Sequence, residues 1–152
     1  MSNVLPFPDS LQDDYPLIKP GTYALKFTGW ETKRIFNTGK VSLWFEVVDY
    51  GESFGVRLAR HYNASKLKGK PAKKGGFKAG KFSDLAREVF RVLELAGHPT
   101  KGIRLDRLPL PLLEAHIITG KVKTVTHDSR REPIPQGLQY SVIGKLTGIR
   151  PS

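Results

Sequence analysis

From Thr22 to Lys33 the chain alternates. Tyr23, Leu25 and Phe27 fall on one side and Ala24, Lys26 and Thr28 on the other, the period of a strand with one buried face. Pro20-Gly21 opens this strand, and Gly29 interrupts it where a barrel strand kinks or bulges to serve two sheets. Asn37-Thr38-Gly39-Lys40 is a turn signal, so the next run folds back as a hairpin. In that run, Val41 to Asp49, the residues Val41, Leu43, Phe45 and Val47 face one way; Ser42, Trp44, Glu46 and Val48 face the other. After a turn at Tyr50-Gly51-Glu52-Ser53, a third strand is expected over Val56 to Asn63, its period blurred by Arg57, Arg60 and His61.

A glycine- and proline-rich basic loop over residues 64–81 follows, with Gly69, Pro71, Gly75, Gly76 and Gly80 breaking regular structure. Phe82 to Ala96 reads as the one helix. Ser83 is its N-cap, Asp84 complements the dipole, Leu85, Val89, Val92, Leu93 and Ala96 form the apolar stripe, Arg87, Glu88, Arg91 and Glu94 the solvated side, and Gly97-His98-Pro99 stops it. A proline-rich connector over Leu108 to Leu113, with room for one short helical turn, leads to a fourth strand, Ala115 to Thr126, with a bend offered by Gly120. After a loop, Tyr140 to Thr147 is the last strand. Three strands, a helix and two strands give a mainly β chain in the order of an OB-fold, a five-stranded barrel with one helix between strands three and four. Residues 1–20, rich in proline and aspartate, read as an extended N-terminal arm, and residues 21–148 as the OB-fold domain.

Charge sharpens this picture. The 152 residues carry a formal net charge of +11. From Val56 to Lys81 the chain holds Arg57, Arg60, Lys66, Lys68, Lys70, Lys73, Lys74, Lys78 and Lys81 without one Asp or Glu. Such a run repels itself unless an anion lies against it, and a phosphate backbone has the matching density. No long apolar segment or basic amphipathic helix points to a membrane. The absence of cysteine excludes disulfides and thiolate chemistry. Prolines and acids in MSNVLPFPDSLQDDYP replace the basic start and apolar run of a signal peptide, so a cytoplasmic location is expected.

PLIKPGTYALKFTGWETK, then VSLWFEVVDYGESFGVRLARHYN, then QYSVIGKL, resemble the single-stranded DNA-binding proteins of phages and bacterial mobile elements, over most of the chain from Pro16 to Leu146. The resemblance implies an oligomer, dimer or tetramer, that coats single-stranded DNA with little sequence preference during replication or recombination. The chain departs from the group in closing on GKLTGIRPS, where many members carry an acidic tail that recruits replication partners.

Single-strand binding needs a cationic groove and flat rings for bases to stack on. Trp44 lies opposite Leu43 and Phe45 on its strand, so it either offers a stacking face or packs against a neighbouring element or subunit. One of His61 and Tyr62 is expected to point outward as a base contact, and Phe77 either anchors the basic loop or is presented by it. Arg57 and Arg60 are the strongest phosphate candidates, because a strand holds them and a guanidinium pairs bidentately. The loop lysines add diffuse attraction, and Lys121, Lys123, Arg130 and Arg131 would extend the groove. No catalytic constellation emerges: KKGGFKAGK lacks the P-loop spacing, its lysine followed by Phe82, and His61, His98, His116 and His127 have no metal-ligand spacing. The expectation is a non-enzymatic protein needing no cofactor, metal or small-molecule substrate. Two rivals remain: a module for RNA or duplex DNA, and an assembly protein whose aromatic sheet face is a subunit interface.

Overall fold

The computed structural model describes residues 16–128 and 130–150. Most of the expected N-terminal arm therefore lies outside the described residues. The chain forms β1 (Gly21–Ile35), β2 (Thr38–Val47), β3 (Arg57–Asn63), β4 (Lys66–Lys68), β5 (Gly76–Lys78), helix α1 (Asp84–Leu95), β6 (Ile117–Val125) and β7 (Tyr140–Ile149), with short 3-10 turns at Leu110–Ala115 and Gln136–Leu138. Five strands make one antiparallel sheet in the order β3-β2-β1-β6-β7, and β4 and β5 pair as a separate ribbon. A mainly β architecture with one α-helix between the third and fourth sheet strands is thus established.

β1 gives the sheet its curl. Its first residues pair with β6 on one edge, and from Leu25 onward it pairs with β2 on the other. The register shifts between Phe27 and Gly29, where Gly29 supplies the interruption visible in the sequence. Leu25 and Phe27 therefore face the core before the shift, and Trp30 and Thr32 after it. A second irregularity at Thr119/Gly120 bends β6. A side chain at Gly120 would meet Leu25 Cδ1 at 2.8 Å, so close packing requires glycine there. The hairpin between β1 and β2 turns on Phe36-Asn37, both at positive φ (49° and 63°), and not on the expected Asn37–Lys40. With Ile35 paired to Thr38, this two-residue turn has the twist that suits the flanking strands.

Curling brings the outer strands β3 and β7 within 8 Å of each other, but no backbone ladder joins them. Helix α1 lies over this seam. Its N-cap is Ser83, whose hydroxyl accepts from Ala86 N, and it ends where Gly97 (φ 88°) and His98 donate back to Glu94 and Leu93. Leu85, Val89, Val92 and Leu93 fill the inside of the curve with Leu43, Phe45, Leu58, Ile143 and Leu146. Phe27 and Phe45 meet edge-to-face at 5.6 Å within it.

The helix also buries one carboxylate that its pattern placed on the solvated side, because three donors converge on it. Glu88 is 7% exposed. Its Oε1 accepts from Tyr62 Oη at 2.8 Å on β3, from Leu146 N at 2.8 Å on β7, and from Arg60 Nε at 3.1 Å, while Oε2 accepts from Arg60 Nη2 at 2.7 Å. A backbone N–H that the open seam would leave unpaired is thereby satisfied by a side chain. Replacing Glu88 with Ala strands a buried guanidinium, a tyrosine hydroxyl and that N–H. We expect Glu88→Ala to lower unfolding stability in a urea titration by about 3–5 kcal/mol. A loss below about 1 kcal/mol would mean that packing alone closes the seam.

Candidate nucleic-acid interface

The face of β1–β2–β3 turned away from the core is laid out by register. Across the three strands run Lys33–Lys40–Asn63, Glu31–Ser42–His61, Gly29–Trp44–Ala59 and Lys26–Glu46–Arg57. Trp44 lies between the small residues Gly29 and Ala59, yet it is only 8% exposed. Its indole Nε1 donates to Glu31 Oε1 at 3.2 Å, and the Arg57 guanidinium lies over the ring, 5.7 Å from its centroid. An open stacking ring at Trp44 is thus corrected to a fixed one that Arg57 partly roofs. Arg57 itself is exposed.

Of the neighbouring pair, His61 is on this outer face and Tyr62 is in the core, 4% exposed. Tyr62 is therefore no base contact in this arrangement. Burial, with the negative charge of Glu88 beside it, pushes its hydroxyl well above the usual range and keeps it a donor. Arg60, expected to bind phosphate, points inward to Glu88 with its guanidinium 4.3 Å from the Tyr62 ring centroid. Burial alone would lower its pKa, but the hydrogen bond to Glu88 and the nearby negative charges hold it above the ordinary value. His61 Nδ1 sits 2.6 Å from Ser42 Oγ. Burial first, then the positive charges of Lys33 and Arg60, lower its pKa from 6.5 to about 4, so the ring is neutral at physiological pH.

The basic segment is a folded ribbon, not the irregular loop expected. Lys66, Leu67 and Lys68 pair with Lys78, Phe77 and Gly76. Leu67 and Phe77 are buried and pin the ribbon to the core, while Lys66, Lys68 and Lys78 face outward. Phe77 is an anchor. The ribbon's tip, with exposed Lys70, Lys73 and Lys74, docks on β1 beyond the reach of β6. Thr32 N donates to Ala72 O at 3.0 Å, Lys74 N to Trp30 O at 2.9 Å, and Trp30 Nε1 to Gly75 O at 3.0 Å. Lys68 reaches Asp106, whereas Lys66, Lys70, Lys73, Lys74, Lys78 and Lys81 have no salt bridge to a described residue.

Lys121 and Lys123 are exposed on β6, and Arg130 and Arg131 in the loop after it. Lys121 pairs with Thr22, at the opposite end of β1 from the ribbon's dock at Trp30–Thr32. Eight residues of strand span roughly 25 Å, so these four cations and the ribbon do not form one compact cluster.

Several features escaped the sequence pattern. Phe36 (92% exposed), Tyr50 (97%), Phe54 (55%) and Phe82 (80%) all present rings to solvent. Tyr50 and Phe54 stack on each other at 5.8 Å, nearly parallel. All four stand in turns or at a helix start, where a large side chain has no strand face to bury it; that position was the available signal. Phe82 also lines a groove of about 410 Å³ between the end of β3 and the start of α1, with Lys40, His61, Asn63, Asp84 and Arg87. His98 and His116, distant in sequence, meet with Nε2 atoms 2.9 Å apart, so one ring donates to the other. Among the described residues, no three His, Asp or Glu side chains cluster as a metal site would require, and no helix is long and apolar enough to cross a membrane. No family model matches the chain, and no curated protein or solved structure matches it either.

Two measurements check this geometry. A methyl group on Gly75 would lie 2.3 Å from Thr32 Oγ1 and 2.9 Å from Ala72 O. Gly75→Ala should detach the ribbon tip and speed hydrogen exchange at the Thr32 and Lys74 amides, and unchanged protection would refute the docking. For His61, the native state favours the neutral ring, and the unfolded chain takes up its proton below pH 6.5. The stabilisation is therefore complete above pH 6.5 and is lost as pH falls toward about 4. On the order of 1–3 kcal/mol is involved, allowing for the ring's partial exposure. His61→Gln should remove this part of the stability–pH profile; an identical profile would count against it.

Proposed function

We propose that the chain binds single-stranded DNA, with little dependence on sequence, through the outer face of β1–β3 and the lysine ribbon beside it. The observation that carries this reading is the ribbon. It holds Lys66, Lys70, Lys73, Lys74 and Lys78 on a pinned hairpin, each exposed and without a carboxylate partner among the described residues. Like charges gathered on a rigid support are costly without a polyanion, and a phosphate backbone is the polyanion they suit. Exposed rings at Phe36, Tyr50, Phe54 and Phe82 favour unpaired bases over a duplex, whose bases are already stacked on one another.

The same reading takes the curled sheet as an OB-type barrel left open at one seam. Three features support it: β1 pairs with both β2 and β6, the edge strands β3 and β7 approach each other, and α1 lies between the third and fourth sheet strands. In that fold the second and third strands and their loops are the oligonucleotide face. Coating and protecting single strands in replication or recombination, as a phage or mobile-element protein would, fits the resemblance noted in the sequence. The role is binding without chemistry, in the cytoplasm, and self-association into a dimer or tetramer belongs to the same proposal.

A fluorescent oligo-dT and a matched duplex, titrated across a salt series, test this. The single strand should bind more tightly, with log Kd rising steeply with log salt and some affinity surviving at high salt through stacking. Equal binding of duplex and single strand would overturn the reading in favour of a general charge patch.

A further inference from the structure

We propose that the groove between the end of β3 and the start of α1 is a subsite for one unpaired nucleotide, its base stacked on Phe82 and its flanking phosphates held by Lys40 and Lys81. The proposal rests on the single-strand reading above and adds a position to it. Four observations converge. First, the Phe82 ring is 80% exposed although it borders a concave groove, and the group over it is the flexible Lys81 ammonium, which a stacked base would displace toward its own phosphate. The groove, about 410 Å³, is within the range of small-ligand sites and suits one nucleotide.

Second, the cations around it divide cleanly. Arg60 is committed to Glu88 at 2.7 Å and Arg87 to Asp84 at 3.0 Å, whereas Lys40 and Lys81 have no carboxylate partner among the described residues. Lys40 Nζ donates to the Asn63 side-chain oxygen, a neutral group that leaves its charge uncompensated. Lys81 Nζ stands 5.5 Å from the Phe82 ring centroid. The available positive charge thus lies over the ring, at Lys81, and in the groove lining, at Lys40.

Third, Asp84, the acid of the groove, is neutralised by Arg87 and lies 4.0 Å from Arg60. It does not expel an anion bound on the lysine side. Fourth, Asn63 contributes an amide that can meet a base edge as donor or acceptor, and His61 is held neutral and so adds no charge. A ring that needs a free base face selects an unpaired strand, because a paired base exposes only its edges.

The test uses the full chain and oligo-dT carrying one 5-iododeoxyuridine. Ultraviolet crosslinking followed by peptide mapping should place a crosslink at Phe82. Phe82→Ala should weaken oligo-dT binding about 5- to 100-fold, and Phe82→Trp should restore it. Lys40→Gln should instead lower the salt dependence of binding. Phe82 is exposed, and an unchanged urea midpoint would confirm that each variant folds. If the wild-type chain binds oligo-dT but Phe82→Ala binds equally well and crosslinks map elsewhere, the subsite is wrong and the single-strand reading stands. If the wild-type chain does not bind oligo-dT, that reading fails and the subsite falls with it.

Discussion

One buried carboxylate ties the fold together. Glu88 satisfies a backbone donor on β7, a hydroxyl on β3 and the guanidinium of Arg60, all from a helix that packs across both strands. A wholly apolar helix face would bury comparable area but would leave the Leu146 N–H unpaired where the sheet fails to close. Such a pair adds little net stability over well-packed hydrocarbon, because two charges must be stripped of water. What it supplies is uniqueness of position. The carboxylate can meet its three partners only with the helix in one register over the seam.

That constraint also redistributes chemistry along β3. Alternation assigns Leu58, Arg60 and Tyr62 to the inside and Arg57, Ala59 and His61 to the outside. Two of the side chains expected at the interface, Arg60 and Tyr62, are thereby committed to the core. The outer face keeps Arg57 over Trp44 and a neutral His61 bonded to Ser42. Free positive charge is displaced to the ribbon and to Lys40 and Lys81, which adjoin its base.

The sequence disclosed the scaffold better than the interface. The alternation in β1 and β2, the Gly29 interruption and the capped helix were legible because each depends on neighbours a few residues apart. The bridging of the seam and the fate of Arg60 were not, because they depend on a carboxylate 28 residues downstream of Arg60. The ribbon was misread for a related reason. Its strands are three residues each, too short for a period to show, and glycines expected to break regular structure serve the packing: Gly75 admits Thr32 and Gly76 admits Lys68. Trp44 was ambiguous because alternation gives the side of a sheet but not what lies on it.

The docked ribbon has a thermodynamic consequence. Ordering a flexible basic loop upon association would cost roughly 1–2 kcal/mol of backbone entropy per residue. Here the ribbon tip is already hydrogen-bonded to β1, so that entropy is lost when the chain folds and would not be lost again on the proposed binding of a polyanion. Association then resembles the meeting of two preformed surfaces. In the proposed complex its rate would be set by electrostatic steering and not by folding of the loop.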